Sequence, residues 1–146
     1  MSNNLKLTEE TYVIFDLETT GLYPNSGDTI IEIGAVKIKD GKIIDRYDEL
    51  VNPGKLLSEE IMKITGINNE LLKDKRNEES CIIDFMKWVG DLPMVAHNAK
   101  FDISFITMSM KKYGLGEFKN TVIDTLELSR VLDQGFARHG LSALVK

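Results

Sequence analysis

The chain has 146 residues, 42% of them hydrophobic and 28% charged, the size and composition of one ordinary globular domain. A formal charge of −5 and a pI near 5.1 give no overall basic field, which counts against a protein that holds nucleic acid by charge alone. The single cysteine excludes an internal disulfide framework, the polar start MSNNLKLTEE lacks a signal-peptide core, and no apolar run approaches the roughly 20 residues of a membrane span, so a cytoplasmic protein without a membrane partner is expected.

Taken in order, TYVIFDL (11–17) predicts a strand from its β-branched and aromatic content, and YPNSGD (23–28) a loop. TIIEIGAVKIK (29–39) and KIIDRYDELV (42–51) predict two strands joined by Asp40-Gly41, a strong hairpin signal. Gly34, inside the second of these three strands, suggests a close approach by another element. From Ser58 the period changes. SEEIMKIT begins with an N-cap and an acidic first turn and stops at Gly66, NNELLKD reads as a short helical turn, and NEESCIIDFMKWVG (77–90) as an amphipathic helix with Cys81, Phe85 and Trp88 on one face. A short buried strand (92–98), a helix (99–114) with Phe101, Phe105 and Met108 or Ser109 on one side, a strand (120–124), a helix (125–133) and the start of another at HGLSALVK complete the chain. Antiparallel strands followed by strand–helix alternation predict an α/β fold with a mixed sheet and helices packed on both faces, in one domain over residues 1–146.

The first strand raises a chemical question. Asp16 and Glu18 are two apart, so in a strand they project to the same side, where paired carboxylates repel unless a cation lies between them. A third acid, Asp102, follows the short strand 92–98 in the first turn of the next helix, at the carboxyl end of the sheet where open α/β sheets place ligands. If the two strands are neighbours, Asp16, Glu18 and Asp102 converge, with His97 and Asn98 beside them. Oxygen ligands of this kind favour magnesium or manganese over zinc. Each feature alone has a plainer reading. Asp102 equally suits a residue complementing a helix dipole, His97 a structural histidine beside a helix-capping Asn98, and Phe101 a core partner of Phe105.

The joint pattern and its order narrow this. VIFDLETTGL, IIEIGAVKIKDG, ITGIN, VAHNAKFDISFI and VIDTLELSR together resemble the 3′–5′ exonucleases of the DEDDh (DnaQ-like) family, and within it the PolC-type exonuclease domains of DNA polymerase III, from about Thr11 to the last residue. The resemblance implies an RNase H-like fold. It implies a proofreading-type exonuclease that releases nucleoside monophosphates from single-stranded or frayed DNA 3′ ends, with two Mg²⁺ or Mn²⁺ ions as cofactors. It assigns Asp16, Glu18 and Asp102 as metal ligands and catalytic residues. Thr19, Thr20 and Leu22 would line the pocket for the 3′-terminal nucleotide, Asn98 and Phe101 would lie next to the scissile phosphate and terminal sugar, and Thr65 stands where some members place a histidine. Asp124 is read as structural. DNA is expected rather than RNA, and a polymerase or another large chain is the implied partner.

The family's third motif is a histidine followed five residues later by an aspartate. His139 is followed at that distance by Leu144, so it does not match, and HGLSAL resembles the segment that precedes the motif. The sequence is therefore expected to stop before the general base and fourth carboxylate, lacking the last helix and leaving an apolar patch that invites self-association. Two outcomes are carried forward: an exonuclease, or a silent domain that binds metal and nucleic-acid ends without cleaving.

Overall fold

The computed structural model describes residues 11–127. Five strands form one mixed sheet in the order β3–β2–β1–β4–β5. The strands are β1 (Thr11–Thr19), β2 (Ile30–Lys39), β3 (Lys42–Leu50), β4 (Met94–Ala96) and β5 (Val122–Asp124), and the helices are α1 (Glu59–Thr65), α2 (Asn69–Leu72), α3 (Glu78–Val89) and α4 (Ala99–Lys112). Strands β1, β2 and β3 are antiparallel neighbours, whereas β4 runs parallel to β1 and β5 parallel to β4.

Alternation in β1 decides its two faces. Val13, Phe15 and Leu17 are buried while Ile14 and Asp16 are exposed, as a half-buried strand requires. The buried residues join Ile33 and Ala35 of β2 and the apolar faces of α3 and α4 in the main core. Phe85 is fully buried at its centre, 5.2 Å from the ring of Tyr47 and 6.4 Å from that of Phe15. Burial pushes the Cys81 thiol up to about 12, so this cysteine is a small core residue rather than a nucleophile. The turn between β2 and β3 has positive φ at both central residues, Asp40 (53°) and Gly41 (74°), the twist-matched hairpin geometry that the Asp-Gly pair predicts.

Helices α1, α2 and α3 begin at side-chain caps. Ser58, Asn68 and Asn77 accept hydrogen bonds from the amides of Ile61, Leu71 and Ser80. A smaller cluster of Ile31, Leu57, Ile67 and Leu72 seats α1 and α2 beside the sheet. Glu78 opens α3 from inside the protein, accepting from the Ile30 amide at 3.3 Å and the Tyr113 hydroxyl at 2.9 Å. No helix among the described residues is long and apolar enough to cross a membrane.

Several sequence expectations shift. The fourth strand is three residues rather than seven, because Pro93 brings only a carbonyl (accepting from the Val13 amide at 2.8 Å) and Asn98 turns away with φ 59°. The fifth strand begins at Val122, since Asn120 uses its side-chain amide on the Gly90 and Leu92 carbonyls. Gly34 is not crowded: the nearest heavy atom to a Cβ built there would be the Asp16 carbonyl oxygen, at an ordinary 3.9 Å. Helices α3 and α4 pack on one face of the sheet; of the helices expected after Asp124, only 125–127 lie within the described residues, and His139 and the rest lie outside them.

Candidate active site

Because β1 and β4 are parallel neighbours, with Val13 beside Met94 and Ile14 beside Val95, the carboxyl ends of both strands point the same way. Asp16 and Glu18 leave one end, and the first turn of α4 follows the other. Asp16 is exposed, Glu18 half-buried and Asp102 4% exposed. Burial, then the neighbouring charges of Asp16, Asp124 and Glu18, raise the Asp102 carboxyl from 3.8 to about 7. Burial and Asp16 also raise Glu18. The three acids therefore share one electrostatic environment. They do not close on one point: among the described residues no group of three acidic, histidine or cysteine side chains is placed to hold a metal ion.

Two further acids face the same way. In the antiparallel register Glu18 lies opposite Glu32, and Gly34 lies between Asp16 and Asp48, so all four carboxylates share one face of β1–β2–β3. They line a groove of about 400 Å³ together with Arg46 and Tyr47. Burial and Asp48 raise Glu32, with smaller contributions from Glu18 and Asp16. Sequence reading passed over Glu32 and Asp48. The signal was available in IIEIGAV, where an acid interrupts an apolar strand just as Asp16 interrupts VIFDL.

Beside Glu18 opens a second cleft of about 520 Å³. Thr19, Thr20, Leu22 and Tyr23 form one wall, Ile61, Ile64 and Thr65 of α1 the other, and Phe101 of α4 also contributes. Thus Thr19, Thr20, Leu22, Thr65 and Phe101 meet around one space. The Thr65 hydroxyl is committed to backbone, donating to the Ile61 carbonyl at 2.7 Å and accepting from the Ile67 amide at 3.1 Å. Phe101 also packs on the core, 5.1 Å from the ring of Phe105.

Asn98 lies outside the lining of this cleft, and its side chain does not cap α4 as expected. Its backbone adopts the left-handed conformation and its amide donates to Asp124 Oδ1 at 2.9 Å. The same oxygen accepts from the Leu126 amide at 2.9 Å, so Asp124 ties two chain segments together. His97 is exposed, with Nδ1 3.1 Å from the Thr125 hydroxyl.

Acids at the carboxyl end of the parallel β1–β4 pair, next to an apolar-walled cleft, form the candidate catalytic face of the sheet. The RNase_T exonuclease family model matches residues 13–146, and the chain belongs to that family. It is 49% identical over 140 residues to "DNA polymerase III PolC-type" of Staphylococcus haemolyticus, covering 96% of this chain and 10% of that protein. The corresponding protein of Staphylococcus aureus is 46% identical over the same length. The chain therefore spans about a tenth of the length of these relatives. Among solved structures, Exonuclease X in complex with 5′ overhanging duplex DNA superposes with a TM-score of 0.65 at 32% identity, over 91% of this chain and 70% of that one. Exonuclease I superposes at 0.76 with 19% identity, over 86% and 31%, a likeness of fold.

Proposed function

We propose that this chain is a 3′–5′ exonuclease domain that removes nucleotides from single-stranded or frayed DNA 3′ ends, as a proofreading activity within a PolC-type polymerase. The observation that carries the reading is the shared electrostatic environment of Asp16, Glu18 and Asp102 at the carboxyl ends of β1 and β4, with Glu18 also lining the Leu22–Phe101 cleft. The complex of Exonuclease X with duplex DNA and the likeness to PolC-type DNA polymerase III support DNA as the substrate.

The donor set suits a hard divalent cation: three carboxylates, one of them near 7 because burial and its acidic neighbours disfavour its charge. Asp16, Glu18 and Asp102 are the residues that would hold Mg²⁺ or Mn²⁺. When bound, such ions offset the charge of a phosphodiester and promote attack by water. The chain's own residues hold the substrate. Leu22 and Phe101 wedge and stack the terminal nucleotide without reading its base. Thr65 lines the cleft with its hydroxyl engaged by backbone. An acidic protein can hold a polyanion in this way, by apolar contact and through ions instead of lysines.

The reading is tested with single strands of DNA and RNA labelled on the 3′-terminal nucleotide. A labelled mononucleotide as the first product from DNA, formed faster than from RNA, is expected. Release of internal fragments, or an equal rate on RNA, would overturn the polarity or the substrate class.

A further inference from the structure

Between β1 and β2 the chain makes a loop whose tip, Leu22 and Tyr23, stands 65% and 64% exposed. Across the cleft Ile64 of α1 is 70% exposed. Large apolar side chains held open toward each other mark a ligand wall, and something must keep the loop from folding them down.

The Asp28 carboxylate fastens the loop at two points, beside the Thr19 hydroxyl donating to the Gly21 carbonyl at 2.7 Å and the Asp28 amide donating to the Tyr23 carbonyl at 3.2 Å. Asp28 Oδ1 accepts from the Thr20 hydroxyl at 3.1 Å, and Oδ2 from the Tyr23 amide at 3.0 Å. The Thr20 hydroxyl accepts in turn from the Thr29 amide at 3.0 Å, and the Thr20 amide donates to the Thr29 carbonyl at 2.8 Å. Gly21 passes directly over this group: a Cβ there would stand 2.3 Å from Asp28 Oδ2. The Asp28 clasp therefore needs a residue without a side chain at 21, since a Cβ there would displace the carboxylate, and an acceptor with two oxygens at 28. Asparagine could satisfy one donor, but its amide nitrogen would face the other.

We propose that Asp28 is a positioning residue for the terminal-nucleotide cleft: by gripping Thr20 and Tyr23 it holds Leu22 and Tyr23 as a preformed wall facing α1. The inference rests on the exonuclease reading above. Asp28 touches no reacting atom, so its loss should weaken the grip on DNA and spare the chemical step.

The test is steady-state cleavage of a 5′-labelled single-stranded oligonucleotide by the full chain with manganese, comparing wild type, Asp28→Ala, Asp28→Asn, Gly21→Ala and the Gly21→Ala/Asp28→Ala double variant. Asp28→Ala is expected to raise KM roughly tenfold while kcat stays within about threefold. Asp28→Asn should lie between it and wild type. Gly21→Ala, by displacing the carboxylate, should reproduce the Asp28→Ala effect, and the double variant should be no worse than either single one. An unchanged KM, a loss confined to kcat, or additive effects in the double variant would overturn the proposal. Melting curves on all five proteins separate a loosened loop, with midpoints little changed, from unfolding, which would lower kcat and KM-dependent rates together and also count against it. A wild type that fails to cleave refutes the exonuclease reading itself and this inference with it; an active wild type with an indifferent Asp28→Ala refutes this inference alone.

Discussion

Replacing Asp102 with asparagine should stabilise the ion-free protein, by an amount set by pH. The side chain is 4% exposed, and burial with three acidic neighbours moves its carboxyl from 3.8 to about 7. In the unfolded chain the same group ionises near its ordinary value. Between roughly pH 4 and pH 7 the folded state therefore binds the extra proton, and stability falls as pH rises through that window; above pH 7 the loss is complete. The direction is opposite to that of a salt-bridged carboxylate. At about 1.4 kcal/mol per pH unit, the full effect is about 4 kcal/mol. Asparagine keeps the shape and has no proton to lose. Urea unfolding in EDTA should give nearly coincident free energies for the two proteins at about pH 3.5, below the ordinary carboxyl value, and a variant more stable by about 2–4 kcal/mol at pH 8. Glu18 and Glu32 are raised in the same direction in both proteins, so the difference between the curves reports Asp102 together with its coupling to Asp16, Asp124 and Glu18. Parallel curves at all pH values would refute the reasoning.

Other expectations concern the frame around the site. Phe85→Ala removes a fully buried ring from among Phe15, Tyr47 and Trp88 and should destabilise by about 3–5 kcal/mol in urea unfolding. Asn98→Ala should destabilise by about 1 kcal/mol because alanine resists the left-handed backbone, while Asn98→Gly should be close to neutral; equal effects would mean that the φ of 59° is not the constraint. Arg76 bridges Glu49 and Asp84 on the surface at 2.8 and 2.6 Å, so Arg76→Ala should lower the melting temperature only slightly and the difference should shrink in high salt.

The hairpin and the burial of β1 were legible in the sequence because they rest on local signals: strict alternation in VIFDL and an Asp-Gly turn. The pairing of β1 with β4 was legible only as a condition, since nothing local states which strands are neighbours. Glu32 and Asp48 were overlooked because their membership depends on cross-strand register, Glu18 to Glu32 and Gly34 to Asp48. The Asp28 clasp was hidden for a different reason. YPNSGD reads as an ordinary loop, and the crowding of a Cβ at 21 against the Asp28 carboxylate exists only once the chain folds back. Asn98 was assigned as a side-chain cap from its residue type, whereas the structure uses its tolerance of positive φ and ties its amide to Asp124. Side-chain chemistry was readable from the letters; backbone conformation and register were not.

The central claim is that Asp16 belongs to a site that shortens DNA from its 3′ end. Its most direct test is incubation of a 5′-labelled single strand with the chain in manganese, in EDTA, and with Asp16→Ala, alongside melting curves of both proteins. A ladder shortening from the 3′ end, lost in EDTA and reduced at least about a hundredfold in a variant that melts no lower than wild type, is the expected result. A ladder that persists in Asp16→Ala, or a wild type that leaves the strand intact, would contradict it.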